Sequence, residues 1–151
     1  MMDERDGRAL VIAEARKWIG TPYHSGAGLR GVGCDCGQLL VRAFCDCGLV
    51  PPFGTGAYPA DFHMHRDEPR YLEFVEKYLT ETASPQPGDA VVFKIGRTWA
   101  HGGLITAIKP YLVIVHAYLN ARVVLEEQLR PEHELMKPIR APRFFTLWLQ
   151  P

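Results

Sequence analysis

An α+β fold is what these 151 residues predict. Three observations carry that expectation. Apolar residues recur at helical spacing in the first half of the chain, strand-like runs replace them after residue 85, and Gly- and Pro-rich turns separate the segments. Helices followed by an antiparallel sheet are the α+β order, with the helices packed on the sheet. No linker or shift in composition divides the chain. A single domain over residues 1–151, with one sizeable core, is therefore expected.

The first helix reads from Gly7 to Ile19, where Leu10, Val11, Ala15, Trp18 and Ile19 form an apolar stripe. Gly20-Thr21-Pro22 stops it, and a glycine-rich segment runs on to Gly33. The second helix spans Cys36 to Cys47 and buries Leu39, Leu40, Ala43, Phe44 and Cys47, with Gly48 as its C-terminal cap. A Gly-, Pro- and Tyr-rich loop from Pro51 to Asp61 is a candidate lid. A third helix begins near Pro69 and carries Tyr71, Leu72, Phe74, Val75 and Tyr78. Pro85 to Asp89 makes a turn that launches a strand over Ala90–Phe93. Further strands read at His101–Ile108, Tyr111–Tyr118, Ala121–Glu126 and Phe144–Leu149.

Charge and composition narrow the function. Lys+Arg and Asp+Glu balance at 17 each, so no basic surplus exists to hold a phosphate backbone and nucleic acid is not an expected partner. No apolar run is long enough to cross a bilayer, so no membrane partner is expected. The start, Met-Met-Asp-Glu-Arg-Asp, lacks the pattern of a signal peptide, and synthesis in the cytoplasm is the expectation.

Four cysteines lie at 34, 36, 45 and 47, and Cys-Asp-Cys-Gly occurs twice, at opposite ends of the second helix. Without a leader they read as thiols, metal ligands or a nucleophile rather than disulfides. A helix start offers unpaired N–H groups and the positive pole of the dipole, which lower a thiol pKa; the far end does the reverse. Cys36 therefore ranks first as a nucleophile, and its own N–H is a candidate oxyanion donor. Cys34 precedes the turn and packs as a small hydrophobe, as do Cys45 and Cys47.

Two histidines sit inside strand-like runs, in Ala100-His101-Gly102-Gly103-Leu104-Ile105 and Val113-Ile114-Val115-His116-Ala117. A hairpin closing at Lys109-Pro110 with a two-residue loop sets His101 opposite Tyr118 and His116 opposite Gly103. Both imidazoles then project from one face as diagonal neighbours about 7–8 Å apart at the backbone. A loop one residue longer flips that parity. Gly102 and Gly103 leave space beside His101 for a close approach. His63, His65 and His133 read as solvated, while His24, in the glycine-rich segment, is a candidate cleft residue. A helix-capping thiol with two imidazoles on one face is the minimum set for a cysteine hydrolase.

With these residues in hand, the chain resembles the NlpC-type cell-wall cysteine peptidases, a papain-like family, from about Ala13 to Leu125. Gly20-Thr21-Pro22-Tyr23 and Asp35-Cys36 match the family's first two motifs. Pro87-Gly88-Asp89 matches its turn before a strand, His101-Gly102-Gly103-Leu104-Ile105 its first histidine strand, and His116-Ala117 its second. The stretch from Trp18 to Cys36 is most similar to the phage and gene-transfer-agent tail peptidases of that group. Gly37-Gln38 stands where the family has Ser-Gly, and His24-Ser25-Gly26 where it often has aromatic-Gly-Gly. The resemblance implies Cys36 as nucleophile, His101 as base and then acid, His116 as the group orienting His101, and Tyr23 beside the carbonyl oxygen. It implies hydrolysis of an amide in peptidoglycan stem peptides through an acyl-enzyme, with no metal or organic cofactor. It also implies a tail-borne or separately exported enzyme, with phage tail proteins as partners in the first setting.

A zinc-binding module is the alternative from another class, since two Cys-x-Cys pairs and histidines supply enough ligands. The intervening helix, however, sets the pairs about 16 Å apart, too far for one tetrahedral ion. An acyltransferase or an inactive tail-structure protein keeps the same fold with a different outcome.

Overall fold

A computed structural model describes residues 2–52 and 70–148 of the chain. His63, His65, Pro69 and all but the first two residues of the candidate lid loop lie outside them.

Local chemistry sets the helices. Helix α1 runs Glu4–Arg16, capped by Asp3, whose carboxylate accepts from Asp6 N at 2.8 Å. It begins three residues earlier than periodicity suggested, because the cap lies upstream of the apolar stripe. Trp18 is buried beyond the helix end, whereas Ile19, expected in the stripe, is 45% exposed. Helix α2 runs Cys36–Asp46 and buries Leu39, Leu40, Ala43 and Phe44. Cys47, expected in its stripe, is only partly buried and belongs to the cap. Helix α3, Arg70–Tyr78, contributes Tyr71, Leu72 and Val75 to the core.

Between α1 and α2 lies a two-residue hairpin, β1 (Gly28–Leu29) with β2 (Gly33–Cys34). Among the described residues six strands make the main sheet: β3 (Thr80–Thr82), β4 (Ala90–Ile95), β5 (Thr98–Ala107), β6 (Leu112–Tyr118), β7 (Val123–Leu129) and β8 (Arg143–Thr146). Their order is β3-β8-β4-β5-β6-β7, antiparallel throughout. The short edge strand β3 was not expected. Strand β7 begins two residues later than expected, because a 3-10 turn at Leu119–Ala121 and Arg122 (φ 60) close the preceding loop.

The two faces of the sheet are covered differently. Ala90, Val92, Leu104, Val115, Ala117 and Phe145 meet the helices in one core cluster. Val91, Phe93, Ile105 and Ile114 face the other way and are covered by Leu135 and Met136 from the C-terminal segment. Strand alternation accounts for the split.

The Pro87-Gly88-Asp89 motif joins the layers. Gly88 takes φ 96, and Asp89, 1% exposed, accepts from Arg8 of α1 at 2.8 Å and from Gln86 N at 2.8 Å. Arg8 also donates to Pro87 O at 3.0 Å, so the first helix is tied to the strand start by a buried, hydrogen-bonded ion pair.

Candidate functional site

Asp35 builds the start of α2. One carboxylate oxygen accepts from Gln38 N at 2.8 Å as the helix cap, and the other accepts from Gly26 N at 2.7 Å. That pair of bonds fixes Cys36 as the first helical residue and ties it to the glycine-rich segment. Tyr23 is held alongside, its N–H bonded to Arg122 O at 2.9 Å and its backbone bridged to Cys34.

Cys36 meets the sheet where the β5–β6 ladder stops. That ladder pairs Leu104 with Val115 and Ile105 with Ile114, then shifts by a bulge to Ala107 with Val113. The connection is longer than two residues, and the extra residue at the bulge restores the expected parity. Nearer the start of β5, Ala100 and Gly102 have no β6 partner in this ladder. The Cys36 thiol occupies that position instead, donating to Ala100 O at 3.7 Å and receiving the backbone N–H of Gly102.

His101 and His116 lie on one face, away from the helices. His116 Cβ sits 3.0 Å from where a side chain on Gly103 would begin. His101 Nε2 and His116 Nδ1 are 2.9 Å apart, and the ring of Tyr118 stacks on His116 with centroids 4.7 Å apart. The expected space beside Gly102 is taken by α3: a Cβ there would stand 2.5 Å from Tyr71 Oη. Tyr71 in turn donates to Cys36 O at 3.2 Å, so glycine at 102 lets α3 brace the start of α2.

One pocket is lined by Tyr23, Cys36, His101, Tyr118 and Asn120 together with Glu134 and Arg140. Arg140 donates to Glu134 at 2.5 Å and to Lys94 O at 3.3 Å, so a charge pair forms part of the wall. His116 lies behind His101 and is fully buried. His24 is not brought to this pocket. It is exposed, and its Cβ packs against Gly33 in the β1–β2 hairpin.

Sequence reasoning missed Glu127 and misjudged His133. Glu127 Oε1 is 3.1 Å from His116 Nε2 and 2.8 Å from His133 Nε2. His133 is therefore part of the site's support rather than a solvated side chain. Because His116 pairs with Leu125, Glu127 is its diagonal neighbour on the same face; ending the strand at Glu126 concealed it.

The electrostatics reverse one expectation. Burial pushes the Cys36 thiol up from 9.0 to about 12, and Asp35 adds to the rise against the N–H groups of Gly102, Gly37 and Cys36 itself. That is a bias of about 4 kcal/mol against the thiolate. A helix pole contributes about 0.3–1 kcal/mol, so at rest burial wins. Cys34 is pushed up still further by burial and by Asp35, and its thiol donates to Asp35 O at 3.2 Å.

Burial also holds His101 well below the ordinary 6.5, helped by His116, Arg140 and His133. It lowers His116 too, against the pull of Glu127. The unfolded chain thus takes up protons near pH 6.5 that the fold refuses, so stability is present above that pH and lost as pH falls. Between pH 7 and about 5.5, thermal melts are expected to fall by about 5 °C. A melting temperature unchanged or raised by acid contradicts the buried neutral pair.

The four cysteines form no disulfide, and Cys45 and Cys47 lie at the far end of α2. Among the described residues no group of three or more His, Cys, Asp or Glu side chains is arranged to hold a metal ion. No described helix is long and apolar enough to cross a membrane.

No protein-family profile and no curated protein matches the sequence. Solved structures do match the fold. RipB, a peptidoglycan hydrolase from Mycobacterium tuberculosis, aligns with 20% identity over 97% of this chain and 67% of its own, at a TM-score of 0.61. The P60 domain of an antigen from M. avium subspecies paratuberculosis aligns with 18% identity over 95% and 96%, at 0.61. The NlpC/p60 domain of the peptidoglycan hydrolase SagA aligns with 18% identity over 91% and 96%, at 0.58. The architecture is the papain-like α+β fold of NlpC/p60 domains, as the sequence predicted.

Proposed function

We propose that the protein is a cysteine hydrolase that cleaves an amide bond in the peptide stems of bacterial peptidoglycan. One observation carries the reading: Cys36 and His101 line the same pocket, and His116 sits 2.9 Å behind His101. The likeness of the fold to domains of peptidoglycan hydrolases supports the substrate class.

With thiol and imidazole both neutral at rest, the first step is general-base attack rather than reaction of a standing thiolate. The Cys36 S–H bond breaks as sulfur attacks the amide carbonyl, and the proton passes to His101. In this reading Tyr23, which lines the pocket, and the N–H of Cys36 are the groups that stabilise the oxygen on which negative charge develops. The tetrahedral intermediate collapses, the C–N bond breaks, and the His101 proton goes to the departing amine. Water, deprotonated by His101, then hydrolyses the Cys36 thioester and returns the starting state.

The delivery route in this reading is a phage or gene-transfer-agent tail, after synthesis in the cytoplasm. It rests on the resemblance of residues Trp18 to Cys36 to that branch.

Incubation with purified stem peptides containing γ-D-glutamyl-diaminopimelate, followed by mass spectrometry, tests the reaction. Two fragments whose masses sum to the substrate plus one water are expected. No turnover, or transfer to an added amine without hydrolysis, overturns it, the latter in favour of acyl transfer.

A further inference from the structure

The hydrogen bonds behind His101 form a chain whose direction is set at its far end, by a backbone amide. Leu135 N–H donates to His133 Nδ1 at 3.0 Å, so that nitrogen carries a lone pair and no proton. His133 is then protonated on Nε2, which donates to Glu127 Oε1 at 2.8 Å. The same carboxylate oxygen lies 3.1 Å from His116 Nε2 and, being an acceptor only, requires a proton there. His116 Nδ1 is left with a lone pair. At 2.9 Å from it, His101 Nε2 must be the donor. A neutral His101 protonated on Nε2 keeps its lone pair on Nδ1, the nitrogen not engaged by His116.

We infer that Glu127 and His133 are positioning residues that set the tautomers of His116 and His101, leaving the Nδ1 lone pair of His101 available to take the Cys36 proton. The inference rests on the reading of His101 as general base. Its logic is that of a carboxylate orienting a catalytic imidazole, with one further imidazole inserted and a second one clamping the carboxylate. Glu127 is also well suited to the charge that develops, since it is held below the usual carboxylate range by its bonds to His116 and His133. When His101 becomes an imidazolium, its Nε2–H stays on His116 while the anion of Glu127 faces His116 from the other side. No proton needs to leave His101 except toward the amine. His133 itself is 20% exposed at its side chain and contacts the ring of Tyr118 at 6.0 Å between centroids, so it closes the outer end of the chain.

Glu127→Ala removes the acceptor that requires a proton on His116 Nε2. His116 can then carry its proton on Nδ1, facing His101 Nε2, and His101 must move its own proton to Nδ1 to avoid two opposed donors. Its lone pair is then turned away from the thiol. Glu127→Gln keeps an oxygen able to accept from both imidazoles and preserves the tautomers while removing the charge.

The direct readout is the 15N chemical shifts of the imidazole nitrogens in the resting protein, assigned by His101, His116 and His133 variants, together with kcat and KM for stem-peptide hydrolysis. Native protein is expected to show Nε2–H tautomers for all three histidines. Glu127→Ala is expected to shift His116 and His101 toward Nδ1–H and to lower kcat about 10²-fold or more, with KM changed far less. Glu127→Gln is expected to keep the native tautomers and to recover kcat to within about tenfold of native. Native His101 found protonated on Nδ1, or tautomers unchanged in folded Glu127→Ala, overturns the inference. The shifts need no substrate. An absence of hydrolysis with native tautomers therefore counts against the proposed reaction alone, whereas wrong tautomers in an active enzyme count against the relay alone.

Discussion

Replacing Cys36 with alanine is expected to lower stem-peptide hydrolysis by about 10³-fold or more while leaving the protein folded. The side chain is small, and Asp35 still caps α2 through Gln38 N and Gly26 N. The change in stability therefore stays near about 1 kcal/mol, and a melt recorded beside the kinetics separates chemistry from unfolding. Cys45→Ala is the matching control. That thiol, at the other end of α2, contacts Pro51 O at 3.6 Å and does not line the pocket. Turnover in Cys45→Ala is expected within about twofold of native, since the change trims one buried sulfur from the core and touches nothing that lines the pocket. If Cys36→Ala retains native turnover, the nucleophile has been misassigned.

His101→Ala has the second largest expected effect, about 10²- to 10⁴-fold in kcat/KM, the range for loss of a general base. The pH profile makes the cause visible. In the native protein the acid limb should fall below the ordinary imidazole value of 6.5, because burial keeps His101 neutral. The alkaline side should stay flat well beyond neutrality, because the thiol is pushed up to about 12. Without His101 only hydroxide can remove the thiol proton. The residual rate should then climb about tenfold per pH unit until the fold fails. A flat residual profile, or a native acid limb at or above 6.5, contradicts general-base attack from a neutral pair.

How far the sequence revealed this arrangement depended on how local each cause was. The start of α2 was legible because an Asp cap followed by an apolar stripe is a contiguous signal. The shared face of His101 and His116 was legible because strand alternation has a period of two, and the bulge in β5 preserved the parity that a longer connection would have flipped.

What lay beyond reach depended on chain segments meeting in space. Glu127 matters only because β7 runs past His116 and the segment at His133 folds back over the sheet. Neither event leaves a local mark. Arg122 closes its turn at φ 60 without a glycine to announce it, so the start of β7 was misplaced. The direction of the Cys36 pKa was misjudged for the same reason. The helix pole is written in the sequence, but the burial that outweighs it comes from packing at a distance in the chain, with β5 set against the sulfur at Ala100 and Gly102. His24 looked like a cleft residue from its neighbours alone, and the β1–β2 hairpin carries it to the surface.

The most direct measurement is acid-quenched single turnover with a stem peptide, followed by digestion and tandem mass spectrometry of the cysteine-containing fragments. A thioester on Cys36, carrying the acyl part of the substrate and absent from His101→Ala under the same quench, is the result expected. Hydrolysis that proceeds with no acyl group on any cysteine, or with one on Cys34, Cys45 or Cys47, would show that the pocket at the head of α2 does not house the reaction.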